Sequence, residues 1–315
     1  MNRSKYDISP IERAVIEVLA YYHIFRHPLK IREIALRVKT SSLITSSIDE
    51  TLDDLVLSGT IKESDGYYFL KDSKFIVQRR KEGEIRAKKL LKVAKRMSKI
   101  IYCFPFVRAV FISGSLSKGA VPEDADIDYF IITKKHRLWI ARTSLVIFKR
   151  VFLLNSKKYF CTNYFIDEET LQIPDKNIFT ATEVSTLIPL RGHDYYEQFI
   201  EANEWYKEFY PNVILPIKEY CKPSLLKRFS KTILEPLFYH RLAEKLDKFF
   251  MKKTYERWTK MYGQGYSDKE FELAFRSHRG TSKNHDKNFQ KRVLSKVQEN
   301  IDEAISSINT EPIHG

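Results

Sequence analysis

The chain has 315 residues and a mass of 37.3 kDa, more than one small domain needs, so two or three domains are expected. With 43% hydrophobic and 30% charged residues it can fill a core, which excludes a disordered or collagen-like protein. The net charge of +14 favours anionic partners and is unevenly spread: residues 1–75 carry 11 cationic against 11 acidic side chains, residues 76–100 carry 10 against 2.

Residues 1–75 predict helix, helix, helix, hairpin. Ile11, Val15, Val18, Leu19 and Tyr22 mark a helical stripe from Pro10 to about Phe25, and His27-Pro28-Leu29 ends it. A short second helix follows over Lys30 to Val38. The third runs from Ser46 to Leu57, with Ser46 or Ser47 as N-cap, Glu50 at capping-box distance from Ser47, and Gly59 closing it. Ile61 to Leu70 is a hairpin turning at Asp65-Gly66. This order resembles a winged helix-turn-helix domain. Such a fold offers its third helix to duplex DNA, but here that helix carries Asp49, Glu50, Asp53 and Asp54 and lacks any Lys or Arg. Docking is therefore expected in place of DNA binding.

Arg79 to Ile101 predicts a basic helix that buries Leu90, Ala94, Met97 and Ile101; its cations are either a solvated face or a wall beside an anionic substrate. Residues 107–166 alternate strand, helix, strand, helix, strand: Val107 to Ser113, a turn after Gly114, Ile127 to Thr133, Arg137 to Leu154, and Tyr159 to Ile166. The helix at Arg137 is apolar around its circumference and is expected to be buried on more than one side. From Thr180 the periods are mostly helical, and the polar run Arg276 to Asp286 predicts a mobile loop. Three parts are thus expected: residues 1–75, 76–175 and 176–315.

No stretch has the length of a membrane span, because Leu138 to Leu154 is broken by Arg142, Lys149 and Arg150. The first residues lack an apolar signal core, so the expected location is cytoplasmic. Cys103, Cys161 and Cys221 lack CxxC spacing, against a disulfide framework or a zinc site.

The chemistry concentrates in Phe111-Ile112-Ser113-Gly114-Ser115-Leu116-Ser117-Lys118-Gly119 and Asp124-Ala125-Asp126-Ile127-Asp128-Tyr129. A strand runs into Gly114, where the missing Cβ lets the backbone turn and another group approach. The N–H groups and hydroxyl at Ser115 favour an anion, and Lys118 can reach a phosphate from the same turn. Asp126 and Asp128 lie two apart, so on a strand both carboxylates leave one face and can hold one or two Mg²⁺ ions. Asp124 shares that parity but precedes the apolar run, and belongs to the loop.

Gly-Ser followed after ten residues by Asp-hydrophobic-Asp resembles the polymerase-beta-like nucleotidyltransferase superfamily over about residues 105–170. Asn163-Tyr164-Phe165-Ile166 and Asn203-Glu204-Trp205-Tyr206 also resemble a group of bacterial nucleotidyltransferase-domain proteins. The resemblance implies an α+β fold: a nucleotidyltransferase core with an N-terminal winged helix-turn-helix and a helical C-terminal region. It implies an Mg²⁺-dependent enzyme that moves a nucleoside monophosphate from a nucleoside triphosphate to an acceptor hydroxyl of a small molecule, protein or RNA. Gly114, Ser115 and Lys118 would hold the triphosphate, and Asp126 and Asp128 the metal. Active members carry a third carboxylate on a later strand, and Asn163 stands there, or else Cys161 or Thr162. Asp167, Glu168, Glu183 or Glu197 would then have to substitute. Two rivals remain: a weakly catalytic nucleotide- or partner-binding protein on the same core, and a winged-helix DNA-binding regulator.

Overall fold

The computed structural model describes residues 8–40, 45–71, 75–119, 121–216, 225–237, 241–284 and 289–310; Cys221 lies outside them. Among the described residues no helix is long and apolar enough to cross a membrane.

The N-terminal unit follows the expected order: α1 (Pro10–His23), α2 (Ile31–Ala35), α3 (Thr45–Leu57), β1 (Lys62–Ser64) and β2 (Tyr67–Phe69). Ser9 and Glu12 form a capping box at the start of α1. Asp65 and Gly66 both have positive φ, the geometry of a type I′ hairpin turn, and Leu29 bridges to Tyr68 beside the hairpin. The expected cap of the third helix is displaced. Ser46 and Ser47 lie inside α3, and the Ser47 carbonyl accepts the Thr51 hydroxyl at 2.6 Å.

The basic segment is one helix, α4 (Ile76–Cys103). Its Arg80 is buried and fastens it to the N-terminal unit. The guanidinium meets His27, bonds Glu33 at 2.7 Å and pairs with Glu84 at 3.0 Å. Burial, with Arg80 beside it, holds His27 well below the usual imidazole range, so the ring is a neutral acceptor.

A mixed sheet follows. It is built by β3 (Val107–Ile112), the turn α5 (Gly114–Ser117), β4 (Asp128–Thr133), α6 (Leu138–Phe152), β5 (Cys161–Asp167), α7 (Ile178–Thr186), β6 (Ile188–Arg191) and α8 (His193–Ala202). The chain continues through α9 (Leu225–Phe229), α10 (Glu235–Leu237), α11 (Arg241–Tyr262), α12 (Asp268–Ala274), β7 (Ser277–His278), β8 (Thr281–Lys283) and α13 (Phe289–Thr310). Strand order is β6-β3-β4-β5-β8-β7, with β4 and β5 parallel and the other neighbours antiparallel. Alternate residues face opposite layers. Val110, Tyr129, Ile131 and Phe165 pack on the α4, α6 and α11 side, whereas Ala109, Phe111, Phe130, Ile132 and Ile166 pack on the α7 and α8 side. The protein is therefore a mixed α+β chain with both sheet faces covered.

Three expectations change. The C-terminal region is largely helical, yet it supplies β6, β7 and β8 to the sheet, and Val293, Val297 and Ile301 of α13 join the core that α1 and α3 build. The described part of the segment expected as a mobile loop, residues 276–284, holds a hairpin, and its last two residues lie outside the described ones: β8 bonds along β5, and Ser282 and Lys283 are 0% and 4% exposed. Its residues are polar, so backbone pairing, invisible to an apolar period, orders it. The helix expected to be buried on several sides, α6, buries Leu138, Trp139, Ala141 and Leu145, but Ile147, Val151 and Phe152 are exposed. In that distal half Phe148 turns inward, against Phe104 and Phe160.

Candidate active site

A cavity of about 730 Å³ opens where β3 ends and β4 begins. It is bordered by Ser113, Gly114, Ser115, Lys118, Asp124, Asp126, Asp128 and Asn163, so the residues singled out in the sequence converge on one space. The N-terminal unit walls it with Tyr22, Phe25, Arg26 and His27, α7 with Phe179 and Glu183, β8 with Lys283, and α13 with Phe289.

Gly114 owes its identity to two constraints. Its φ is +66°, and a Cβ placed there would stand 2.5 Å from Asp128 Oδ2. The strand crossing sets this approach, since Ser113 N–H donates to the Asp128 carbonyl at 3.0 Å. The turn then closes on itself: Ser117 Oγ donates to the Gly114 carbonyl at 2.9 Å, and Lys118 Nζ to the same oxygen at 3.1 Å.

Asp128 opens β4; Asp126 lies just before the strand, and Asp124 is an exposed loop residue at the cavity edge, as expected. The register of β4 against β5 runs Asp128 to Cys161 and Tyr129 to Thr162, then shifts so that Phe130 meets Tyr164. Asn163 is the extra residue of that bulge. Its amide donates to Asp128 Oδ1 at 3.2 Å, so the position without a carboxylate does lie against Asp128. Burial pushes Asp128 up to about 6; the bond from Cys161 opposes this, while the charges of Glu183 and Asp126 add to it. Burial and Asp128 together push the Cys161 thiol up to about 12, so it remains a neutral donor.

Of the four substitute carboxylates, Glu183 reaches the cavity. Asp167 pairs with Thr133 at the far end of the strands, about 16 Å along β4 from Asp128, and accepts the Glu169 and Thr170 N–H groups. Glu168 accepts the Tyr195 hydroxyl at 3.0 Å and lies 3.8 Å from Arg108; Glu197 is exposed on α8 and does not border the cavity. Glu183 meets Lys118 at 2.8 Å and receives the Gly114 N–H at 3.4 Å.

No family model, curated protein or solved structure matches the chain.

Lys283 was not legible in the sequence. It lies 3.8 Å from Asp175, donates to Gln290 at 3.3 Å and faces the Tyr164 ring. Burial pushes its ammonium down to about 8, with Asp175 opposing. Its only sequence context is the polar run 276–286. Asn203 of the second resembling phrase is a structural hub: it accepts from the Ile173 N–H and the Trp205 indole, and donates to the Leu171 and Phe199 carbonyls. Among the cations of α4, Arg79 borders the cavity, whereas Lys88, Lys89 and Lys92 are exposed away from it.

Proposed function

We propose that the protein is an Mg²⁺-dependent nucleotidyltransferase, built on a polymerase-beta-like core with an N-terminal winged helix. It would move a nucleoside monophosphate from a triphosphate to an acceptor hydroxyl. The observation that carries this reading is the meeting of the Gly114-Ser115 turn with the Asp126 and Asp128 carboxylates at one cavity. The acceptor oxygen gives its proton to a base and forms a bond to the α-phosphorus, the bond from that phosphorus to the bridging oxygen breaks, and pyrophosphate leaves with the electron pair.

The chemistry of Asp128 fits a hard cation. A half-buried carboxylate with two further acids nearby, and with an amide and a thiol as its side-chain donors, carries charge that a divalent ion would neutralise. Among the described residues no group of three or more His, Cys, Asp or Glu gathers for a metal. Mg²⁺ commonly takes only one or two carboxylates, together with substrate phosphates, which suits the Asp126 and Asp128 pair. When bound, it supplies neutralisation of the phosphate charge. The chain itself would hold phosphate through the Gly114 N–H and Lys118, and Lys283 adds another cation to the lining.

The winged-helix reading of the N-terminal unit does not extend to duplex DNA. Asp49, Glu50, Asp53 and Asp54 are all exposed on α3, and phosphates would be repelled there. The same unit supplies cavity wall through Tyr22 to His27, which supports a docked role.

The test is equilibrium binding of each nucleoside triphosphate with and without Mg²⁺, followed by pyrophosphate release, in the wild type and in Asp126→Asn and Asp128→Asn. The expected result is Mg²⁺-dependent binding that both substitutions abolish in folded protein. Unchanged affinity in both variants overturns the metal assignment. Binding without pyrophosphate release for any hydroxyl acceptor favours the binding-protein reading, for which the uncharged Asn163 speaks.

A further inference from the structure

The Gly114 turn already holds an anion. Glu183, the one acid on α7, puts Oε1 2.8 Å from Lys118 Nζ and Oε2 3.4 Å from the Gly114 nitrogen. These are the two donors that a triphosphate oxygen would use under the nucleotidyltransferase reading, and the role of Glu183 rests on that reading. Carboxylate and phosphate oxygens compete for the same charge-assisted bonds, and a polyanion has the larger claim on an ammonium group. Glu183 also has room to yield: its side chain is 29% exposed, against 10% for Lys118. The α7 backbone is anchored independently, by the Asn177 side chain accepting two N–H groups at its start and by Thr186 meeting Ser117 at its end.

The destination of the Glu183 carboxylate is the place where a charge is missing. Asn163 brings an amide to Asp128, and an amide cannot take a proton near neutral pH. Gly114 lies between the two acids, its N–H 3.4 Å from Glu183 Oε2 and the site of its missing Cβ 2.5 Å from Asp128 Oδ2, while Asp167 and Glu168 stand at the other end of the strands.

We propose that Glu183 is a stand-in for phosphate at the Gly114–Lys118 turn, and that triphosphate binding expels it toward Asp126 and Asp128 to serve as the base. As the acceptor oxygen bonds to the α-phosphorus, its proton passes to the Glu183 carboxylate and pyrophosphate leaves. Glu183 on the turn and Glu183 as the base are thereby exclusive states, so the base forms only with triphosphate in place.

The two roles separate experimentally. Without divalent cation, Glu183→Gln should bind inorganic triphosphate and nucleoside triphosphates about tenfold more tightly than the wild type, because a charged competitor has gone. With Mg²⁺ and acceptor, its turnover should fall about 10²- to 10³-fold. Glu183→Asp is too short to keep the Lys118 pair but retains a carboxylate. It should bind as tightly as the glutamine variant while keeping a larger share of turnover. Thermal melting of each variant establishes that it folds. Equal or weaker metal-free binding in both folded variants overturns the stand-in, and undiminished turnover of Glu183→Gln overturns the base. If the wild type binds no nucleoside triphosphate under any condition, the nucleotidyltransferase reading itself fails. Tighter inorganic triphosphate binding by Glu183→Gln would then still support the stand-in.

Discussion

Replacing Gly114 with alanine should be far more damaging than an ordinary glycine substitution in a turn, and the structure supplies its own control. Gly66 has φ +76° and nothing within 4 Å of a Cβ, so Gly66→Ala carries the backbone cost alone, about 1–2 kcal/mol. Gly114 has nearly the same conformation at φ +66°, but its Cβ would stand 2.5, 3.3 and 3.4 Å from Oδ2, Cγ and Cβ of Asp128. The obstruction runs along the whole side chain, so Asp128 must rotate away from Asn163 or the strands must part. Overpacking of this kind costs about 1–3 kcal/mol more, for a total of about 2–5 kcal/mol and a fall in melting temperature of roughly 3–8 °C. The assay is a thermal and urea double-mutant cycle of Gly114→Ala with Asp128→Ala, run beside Gly66→Ala. Removing the carboxyl leaves only the 3.4 Å contact, which is ordinary, so the pair should couple favourably by about 1–3 kcal/mol. If Gly114→Ala were no worse than Gly66→Ala, or the cycle were additive, the close approach of Asp128 to the turn would be refuted.

Lys283→Met should stabilise the fold at neutral pH while weakening binding of anionic ligands in the cavity. Because Lys283 titrates at about 8 when folded and near 10.5 when unfolded, its penalty is complete below pH 8 and disappears toward pH 10.5. The gain of up to about 3 kcal/mol should shrink across that window; a pH-independent gap in denaturation midpoints would count against the buried charge. Neutralising Lys88, Lys89 and Lys92 to glutamine should lower nonspecific RNA and DNA affinity and flatten its salt slope by about 0.7–0.9 for each phosphate no longer neutralised, as measured by filter binding across salt. Nucleotide turnover should not change, since none of the three borders the cavity, and an unaltered slope would place nucleic acid elsewhere.

The sequence carried the parts of the site that have local signatures. Gly114 is legible because a turn and a close approach both demand glycine, and Asp128 because it stands two residues after Asp126 at the head of an apolar strand. The contact between them arises from antiparallel pairing of β3 with β4. Lys283 is the opposite case. Periodicity detects apolar residues, and a hairpin whose buried members are Thr281, Ser282 and Lys283 has none to detect. The Ile147, Val151 and Phe152 face of α6 fails in reverse, since apolar composition cannot say where a neighbour ends. Glu183 was one carboxylate among four candidates, and only the fold of α7 over the β3 turn separates it from Asp167, Glu168 and Glu197.

The joint between the N-terminal unit and the rest explains why the cavity has the walls it does. A unit that reads DNA must present its third helix freely, and the free face of α3 is acidic. Its opposite side is committed. Arg80 of α4 is buried against His27 and bonds the half-buried Glu33, so it ties α4 to this unit. The C-terminal helix α13 closes the same unit from the other end of the chain, through Val293, Val297 and Ile301. Deleting residues 1–75 would therefore strip α13 of its partner and remove Tyr22, Phe25 and His27 from the cavity at once. Such a deletion cannot report on nucleic-acid binding in isolation; point substitutions on the exposed faces of α3 and α4 can. Phe289, at the start of α13, meets Phe25 and Phe179 with ring centroids 6.3 and 5.8 Å away. Three rings from three distant stretches of sequence thus form an apolar part of the cavity lining, so whatever enters must suit these rings as well as the Gly114 turn and the aspartates.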